Sequence, residues 1–134
     1  MSLPNDLEAA IYNTLAGGTA LTSLLGGTTI YNGVIPRGGS LPAVVFSFVS
    51  GLEDYITPTD AQTYVYMVKG LATTQAAAGE LAAAINTLLH KATLTIAGHT
   101  NFASKRVRIV RYGELDPALH SIAHAGGDYE FRIE

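Results

Sequence analysis

The run Ala43-Val44-Val45-Phe46-Ser47-Phe48-Val49 constrains the fold more than any other segment. Its β-branched and aromatic residues favour an extended chain. Successive side chains of a strand point to opposite faces. Val44, Phe46 and Phe48 therefore share one face, and Val45 and Val49 share the other. A strand that is apolar on both faces is expected to be covered on both sides. The chain must supply a sheet and something to lay on it.

Helical periodicity supplies the cover. Leu7, Ala10, Ile11 and Leu15 recur at three- and four-residue steps, which predicts a helix from about Asn5 to Ala16. Asn5 and Glu8 have the spacing of a capping box. Gly17-Gly18 is expected to end that helix in the left-handed conformation. A short helix follows, capped by Thr19, with Leu21, Leu24 and Leu25 facing inward and Gly26-Gly27 stopping it. The longest helix is predicted over Gln75–Lys91, capped by Thr73 or Thr74. Its stripe is Leu81, Ile85, Leu88 and Ala92, widened by Ala77, Ala78 and Ala84. His90 and Lys91 in the last turn suit the helix dipole.

The period is two elsewhere. Strands are predicted at Thr28–Tyr31, Thr63–Leu71, Thr93–Ala97, Lys105–Tyr112 and Asp128–Glu134, with a turn at Gly98–Asn101. Asp116-Pro117 reads as the start of a helical turn that Gly126-Gly127 closes. The order α-α-β-β-β-α-β-β-β predicts an α+β fold: a mainly antiparallel, mixed β-sheet with N-terminal and central helices packed on it. Nothing divides residues 1–134, so a single domain is expected.

Of the 134 residues, 48% are apolar, enough for a core, and only 14% are charged. A charge-poor surface suits a protein that is covered by neighbours. The net charge of −3 is spread along the chain, which argues against free nucleic-acid binding. With no cysteine, disulfides, thiolate metal sites and cysteine nucleophiles are excluded. The start of the chain lacks a basic, then apolar, leader, and no run is long and apolar enough to span a bilayer. A soluble, intracellular chain with no membrane partner is expected.

Catalytic patterns are missing. No glycine pair is followed by Lys-Ser/Thr, as a phosphate loop needs, and no Gly-x-Ser-x-Gly elbow occurs. His120 and His124 would share a helix face and, with Glu114, Asp116 or Asp128, could hold zinc. Two surface histidines in a polar connection explain them as well, since no third ligand has motif spacing. A triad through Ser121 has no sequence support. Lys105, Arg106, Arg108 and Arg111 form the one basic cluster. Arg106 and Arg108 are expected on one face of a strand, with Val107 and Ile109 on the other. That is either the solvated face of a half-buried strand or a surface for a subunit or passing DNA. The expectation is therefore no enzyme, no cofactor and no metal.

The arrangement as a whole is more specific than these fragments. The run Ala20-Leu21-Thr22-Ser23-Leu24-Leu25-Gly26-Gly27 leads to Ile30-Tyr31-Asn32-Gly33, a Pro/Gly loop, and Leu41-Pro42-Ala43-Val44-Val45-Phe46. A strand, an Ala-rich helix, a hairpin and Tyr129-Glu130-Phe131-Arg132-Ile133 complete it. This resembles the tail terminator, or tail completion, family of long-tailed bacteriophages and prophages. The segment from Leu115 to Gly127 departs from the family pattern in length and in its helical character.

The resemblance implies a structural protein of the virion, assembled in the host cytoplasm. It implies a ring, usually a hexamer, on the head-proximal end of the tail tube. Such a ring stops tube growth and presents a face to the head–tail connector. DNA passes through it without sequence-specific binding. Loop chemistry makes Gly33–Leu41 and Gly51–Gln62 the expected partner-facing segments. Arg37, Glu53, Asp54, Tyr55, Lys105, Arg106 and Arg108 are the candidate interface residues. A neck or connector subunit, or a small ligand-binding or metal-dependent α+β domain, are the other readings open here.

Overall fold

The computed structural model describes residues 3–36, 39–53, 61–115 and 121–134, apart from the side chains of Leu52, Glu53 and Phe102. Two helices, α1 (Leu3–Ala16) and α2 (Thr19–Leu25), precede three strands, β1 (Ile30–Asn32), β2 (Ala43–Glu53) and β3 (Gln62–Ala72). Helix α3 (Gln75–Leu89) follows, then β4 (Thr95–Ile96), β5 (His99–Leu115) and β6 (Ser121–Ile133). The six strands form one sheet in the order β1-β2-β3-β6-β5-β4. Among the described residues only β1 with β2 is parallel, and the other pairings are antiparallel. The α+β fold with a mainly antiparallel mixed sheet is the one expected.

All three helices lie on one face of the sheet. Leu7, Ala10, Ile11 and Leu15 of α1 are buried, as are Ala78, Leu81, Ile85 and Leu89 of α3. They pack with Val44, Phe46, Tyr66, Val68, Tyr129, Phe131 and Ile133 from the sheet. Burying each large side chain stabilises the fold by roughly 1.5–3 kcal/mol. Helix α1 touches β1 at one end of the sheet and β4 near the other, so the sheet curls around it. Polar contacts fix the curl. Glu8 accepts from Asn32 Nδ2 of β1 at 2.6 Å and from the Tyr66 hydroxyl of β3 at 2.6 Å. Asp6 lies 3.4 Å from His99 at the start of β5.

Several local expectations are corrected. Asn5 lies inside α1, and Glu8, instead of closing a capping box, holds two strands. Gly18, not Thr19, is the N-cap of α2, and no side chain caps it. Gly26 does take the left-handed conformation (φ 70°), but Gly18 sits at φ −83°. A Cβ on Gly18 would meet the end of the Leu88 side chain of α3, which would have to shift to admit it. Leu24 is exposed. Thr74, one of two cap candidates, accepts from Ala77 N and starts α3. That helix ends at Leu89, which leaves His90 and Lys91 outside its last turn.

The largest corrections fall in the last third. Strand β5 begins at His99, far before Lys105, with its tight turn at Gly98 (φ 74°). Residues 121–127 belong to β6 and are not helical; Asp116 and Pro117 lie outside the described residues. Gly126 and Gly127 are strand interior. A Cβ on Gly126 would collide with the Val68 carbonyl, and one on Gly127 would stand 2.5 Å from the Arg108 carbonyl. Here glycine lets backbones approach closely instead of making a turn.

Candidate assembly interface

Three surfaces stand out: the basic cluster, a polar row on the face without helices, and the sheet's outer edges. Of the candidate residues, Arg37, Asp54 and Tyr55 lie outside the described residues. The backbone of Glu53 closes β2 opposite Gln62, so part of the expected loop at 51–62 is strand. Lys105, Arg106 and Arg108 all lie on β5, but a bulge separates them. Arg106 pairs with Tyr129 and Arg108 with Asp128, leaving Val107 without a partner across the ladder. One inserted residue shifts the alternation, so the two arginines take opposite faces. The expected shared face is therefore overturned.

On the helix side, Arg106 lies over Gly127 and beside Tyr129. Tyr129 donates to Asn86 Oδ1 of α3 at 3.0 Å. Burial raises the Tyr129 pKa to about 12, with Arg106 pulling the other way. Burial, then the Glu8 carboxylate, raises the Tyr66 pKa still further. Neither phenol is poised for acid–base work near neutrality.

The opposite face carries a polar row. Arg108 Nε bonds Asp128 Oδ2 at 2.8 Å, and Asp128 is buried. His124, also buried, has Nε2 2.5 Å from Glu114 Oε1 and stacks on Tyr112 at 4.3 Å. Lys69 donates to the Tyr112 hydroxyl at 2.6 Å. His124 and Glu114 do meet, as the zinc reading required, but on strands. His120 and Asp116 lie outside the described residues, and Asp128 is engaged by Arg108. Among the described residues no three His, Cys, Asp or Glu side chains gather around one point. The row reads as a set of cross-strand pairs holding β5, β6 and β3 together.

The edges are more unusual. Strand β1 covers only Val44–Phe46 of β2, and β4 covers only His99 and Thr100 of β5. Lys91 N and His90 Nδ1 bind Ser104 O and Arg106 N. Beyond Arg106 the outer edge of β5 is open among the described residues, save for Gln75 Nε2 on the Tyr112 carbonyl. Exposed apolar side chains mark both open stretches: Phe48 (53%) and Val49 (46%) on β2, and Val107 (47%), Ile109 (69%) and Leu115 (64%) on β5. Phe48 and Val49 were expected to be covered, and Val107 and Ile109 to be the inner side of a half-buried strand. The legible signal was the two-sided apolar run itself: Val44, Val45 and Phe46 are covered, and among the described residues that cover stops short of Phe48 and Val49.

A family model described as "Tail completion protein gp17" matches residues 9–133. The chain belongs to the tail completion protein gp17 family. As such it is a structural protein of bacteriophage-type tails and a component of the virion tail. Among solved structures, a chain in "Virion of native gene transfer agent (GTA) particle" is similar, with TM-score 0.75 and 18% identity. The alignment covers 99% of this chain and 98% of that one, so the two share a fold throughout. No curated protein matches. Among the described residues no helix is long and apolar enough to cross a membrane.

Proposed function

We propose that this protein closes the tail: copies of it form a ring at the head-proximal end of the tail tube, stop its growth and give the head connector a surface to join. The observation that carries the reading is membership of the tail completion family over residues 9–133. A ring of identical chains needs head-to-tail contacts that close after a fixed rotation. A charge-poor chain with open sheet edges is suited to such contacts. One ring face repeats the contact that tube subunits make with each other, and the other lacks it. Termination is then steric, and DNA passes through the hole without base contacts. No residue is assigned a catalytic role.

Removing the protein from an otherwise complete particle tests this. Electron micrographs should show tails of uncontrolled length without heads, and adding purified protein should restore defined, head-joined tails. Headless tails of normal length would instead make it a neck subunit. Normal particles would overturn both.

A further inference from the structure

A groove of about 440 Å³ runs between α3 and β5. Gly79, Ala82 and Ala83 make one wall, and Ile109 stands on the other between Arg106 and Arg111. Ile109 is 69% exposed, so the largest apolar group of the groove is left to solvent. We propose that this groove receives residues 54–60, which join β2 to β3, from the next copy in the ring. The proposal rests on the ring reading and names the contact that repeats around the ring.

Charge and side-chain order match. Asp54-Tyr55-Ile56-Thr57-Pro58-Thr59-Asp60 sets two large apolar side chains between two acids. These residues lie outside the described ones. Residues 38–60 hold three acids, Glu53, Asp54 and Asp60, and no lysine or arginine. Residues 91–111 hold five cations, Lys91, Lys105, Arg106, Arg108 and Arg111, and no acid. Glu80 is the one acid of α3 and leaves most of that excess standing. Arg106, Ile109 and Arg111 pair with Tyr129, Gly127 and Ala125, which puts all three on the helix side of β5. An extended chain advances about 3.3 Å per residue. Arg106 and Arg111 are five residues apart, and Asp54 and Asp60 are six apart, so an extended segment reaches from one arginine to the other. Tyr55 and Ile56 then fall against Ile109 and the alanines of α3. Arg111 already donates to the Gln75 carbonyl, and Arg106 lies beside Tyr129. A guanidinium has five N–H donors, so these contacts leave others over. Apolar burial holds the segment, and the charges at its ends set its position more than its affinity.

The segment cannot fill the groove of its own chain. Glu53 and Gln62 close the β2–β3 hairpin level with Ile133 of β6. The groove lies beside Gly126, seven residues back along β6, a distance of about 23 Å. Ile56 stands three residues from Glu53, which limits its backbone to about 10 Å from the hairpin end. A second copy must therefore supply the segment. Each copy then gives one segment and accepts another, a head-to-tail contact that closes into a ring when the rotation between copies is right.

Because the protein has no cysteine, thiols can be placed at will. Tails assembled with the double variant Thr57→Cys/Ala83→Cys are treated with a short bifunctional thiol cross-linker and run under denaturing conditions. A ladder of covalent multimers up to the full ring is expected. Assembly from an equal mixture of the Thr57→Cys and Ala83→Cys single variants should yield dimers and lose every higher band. Dimers from either single variant alone, a link within one chain, or a link to the tube subunit in place of the ladder would each overturn the proposal. Rings visible on tube ends without any ladder would also overturn it, while leaving the ring reading intact. A ladder from free protein, with no rings on tube ends, would sink the ring reading and keep the contact. Adding Tyr55→Ser and Ile56→Ser to the cysteine pair should cut the ladder roughly tenfold or more, because two large apolar groups lose their burial. The circular dichroism of the monomer should stay unchanged. An undiminished ladder would deny these two side chains their place in the groove.

Discussion

Glu8 shows how one side chain can set the curvature of a sheet. Its two oxygens are shared between Asn32 on β1 and the fully buried Tyr66 on β3. Glu8→Ala would leave the Tyr66 hydroxyl buried without its partner, at a cost of about 1–3 kcal/mol. Tyr66→Phe removes the donor instead and leaves a carboxylate that water reaches, at about 0.5–1.5 kcal/mol. Urea midpoints should thus rank wild type above Tyr66→Phe, and that above Glu8→Ala; the reverse order would deny Glu8 its role. The tyrosines also set the alkaline limit. Tyr66 and Tyr129 have folded pKa values raised above 10.0, so folding favours their protonated forms. Their contribution is complete below about pH 10 and is lost as pH rises toward about 12, the value for Tyr129. Tyrosinate absorbance should rise in two stages, the second coinciding with unfolding; one smooth rise in a folded protein would contradict this burial.

Elements were legible where periodicity alone decides. The stripe of α1, Leu81 and Ile85 of α3, the strands Ala43–Val49 and Thr63–Leu71, and the Thr74 cap follow from spacing and local chemistry, whereas Leu89 takes the core place expected of Leu88, and Ala92 lies beyond the end of α3. The β5–β6 hairpin was not legible, for two physical reasons. Gly126-Gly127 reads as a turn because glycine tolerates any backbone, whereas here tertiary crowding demands it. The bulge at Val107 reverses the faces of Arg106 and Arg108, and no spacing rule announces a bulge. Of the candidate interface, only Lys105, Arg106 and Arg108 fall on described side chains, and they are divided between faces. Two element-level tests follow. Thr74→Ala should cost about 1 kcal/mol in thermal or urea unfolding, whereas Thr73→Ala should be near neutral. Gly127→Ala should destabilise by roughly 1–3 kcal/mol or more, because backbone must move. Gly27→Ala, with nothing within 4 Å of the added methyl and an ordinary φ, should be neutral or slightly stabilising. Equal effects of the two glycine substitutions would remove the argument from crowding.

For the whole molecule, the choice lies between an assembly held by charge and one held by backbone pairing and apolar contact. The basic residues of β5 invite the first view. Arg108, however, is already paired with Asp128, and Arg111 with the Gln75 carbonyl. Along both open edges the exposed apolar groups Phe48, Val49, Val107, Ile109 and Leu115 stand among exposed Arg108, Arg111 and Glu114. Salt separates the two views, because exposed ion pairs are screened as ionic strength rises while apolar burial is not. Sedimentation of concentrated protein, or of rings released from tails, should therefore show the same association at low and high sodium chloride, and stronger association in sulfate. Reversing charge at Lys105 and Arg108 should leave the oligomer intact, whereas Ile109→Lys should dissociate it into folded monomers. Oligomers that fall apart in sodium chloride would move the interface to the basic residues. The apolar edges would then need another partner, and the tube subunit, which the proposed ring would meet face to face, is the first to test.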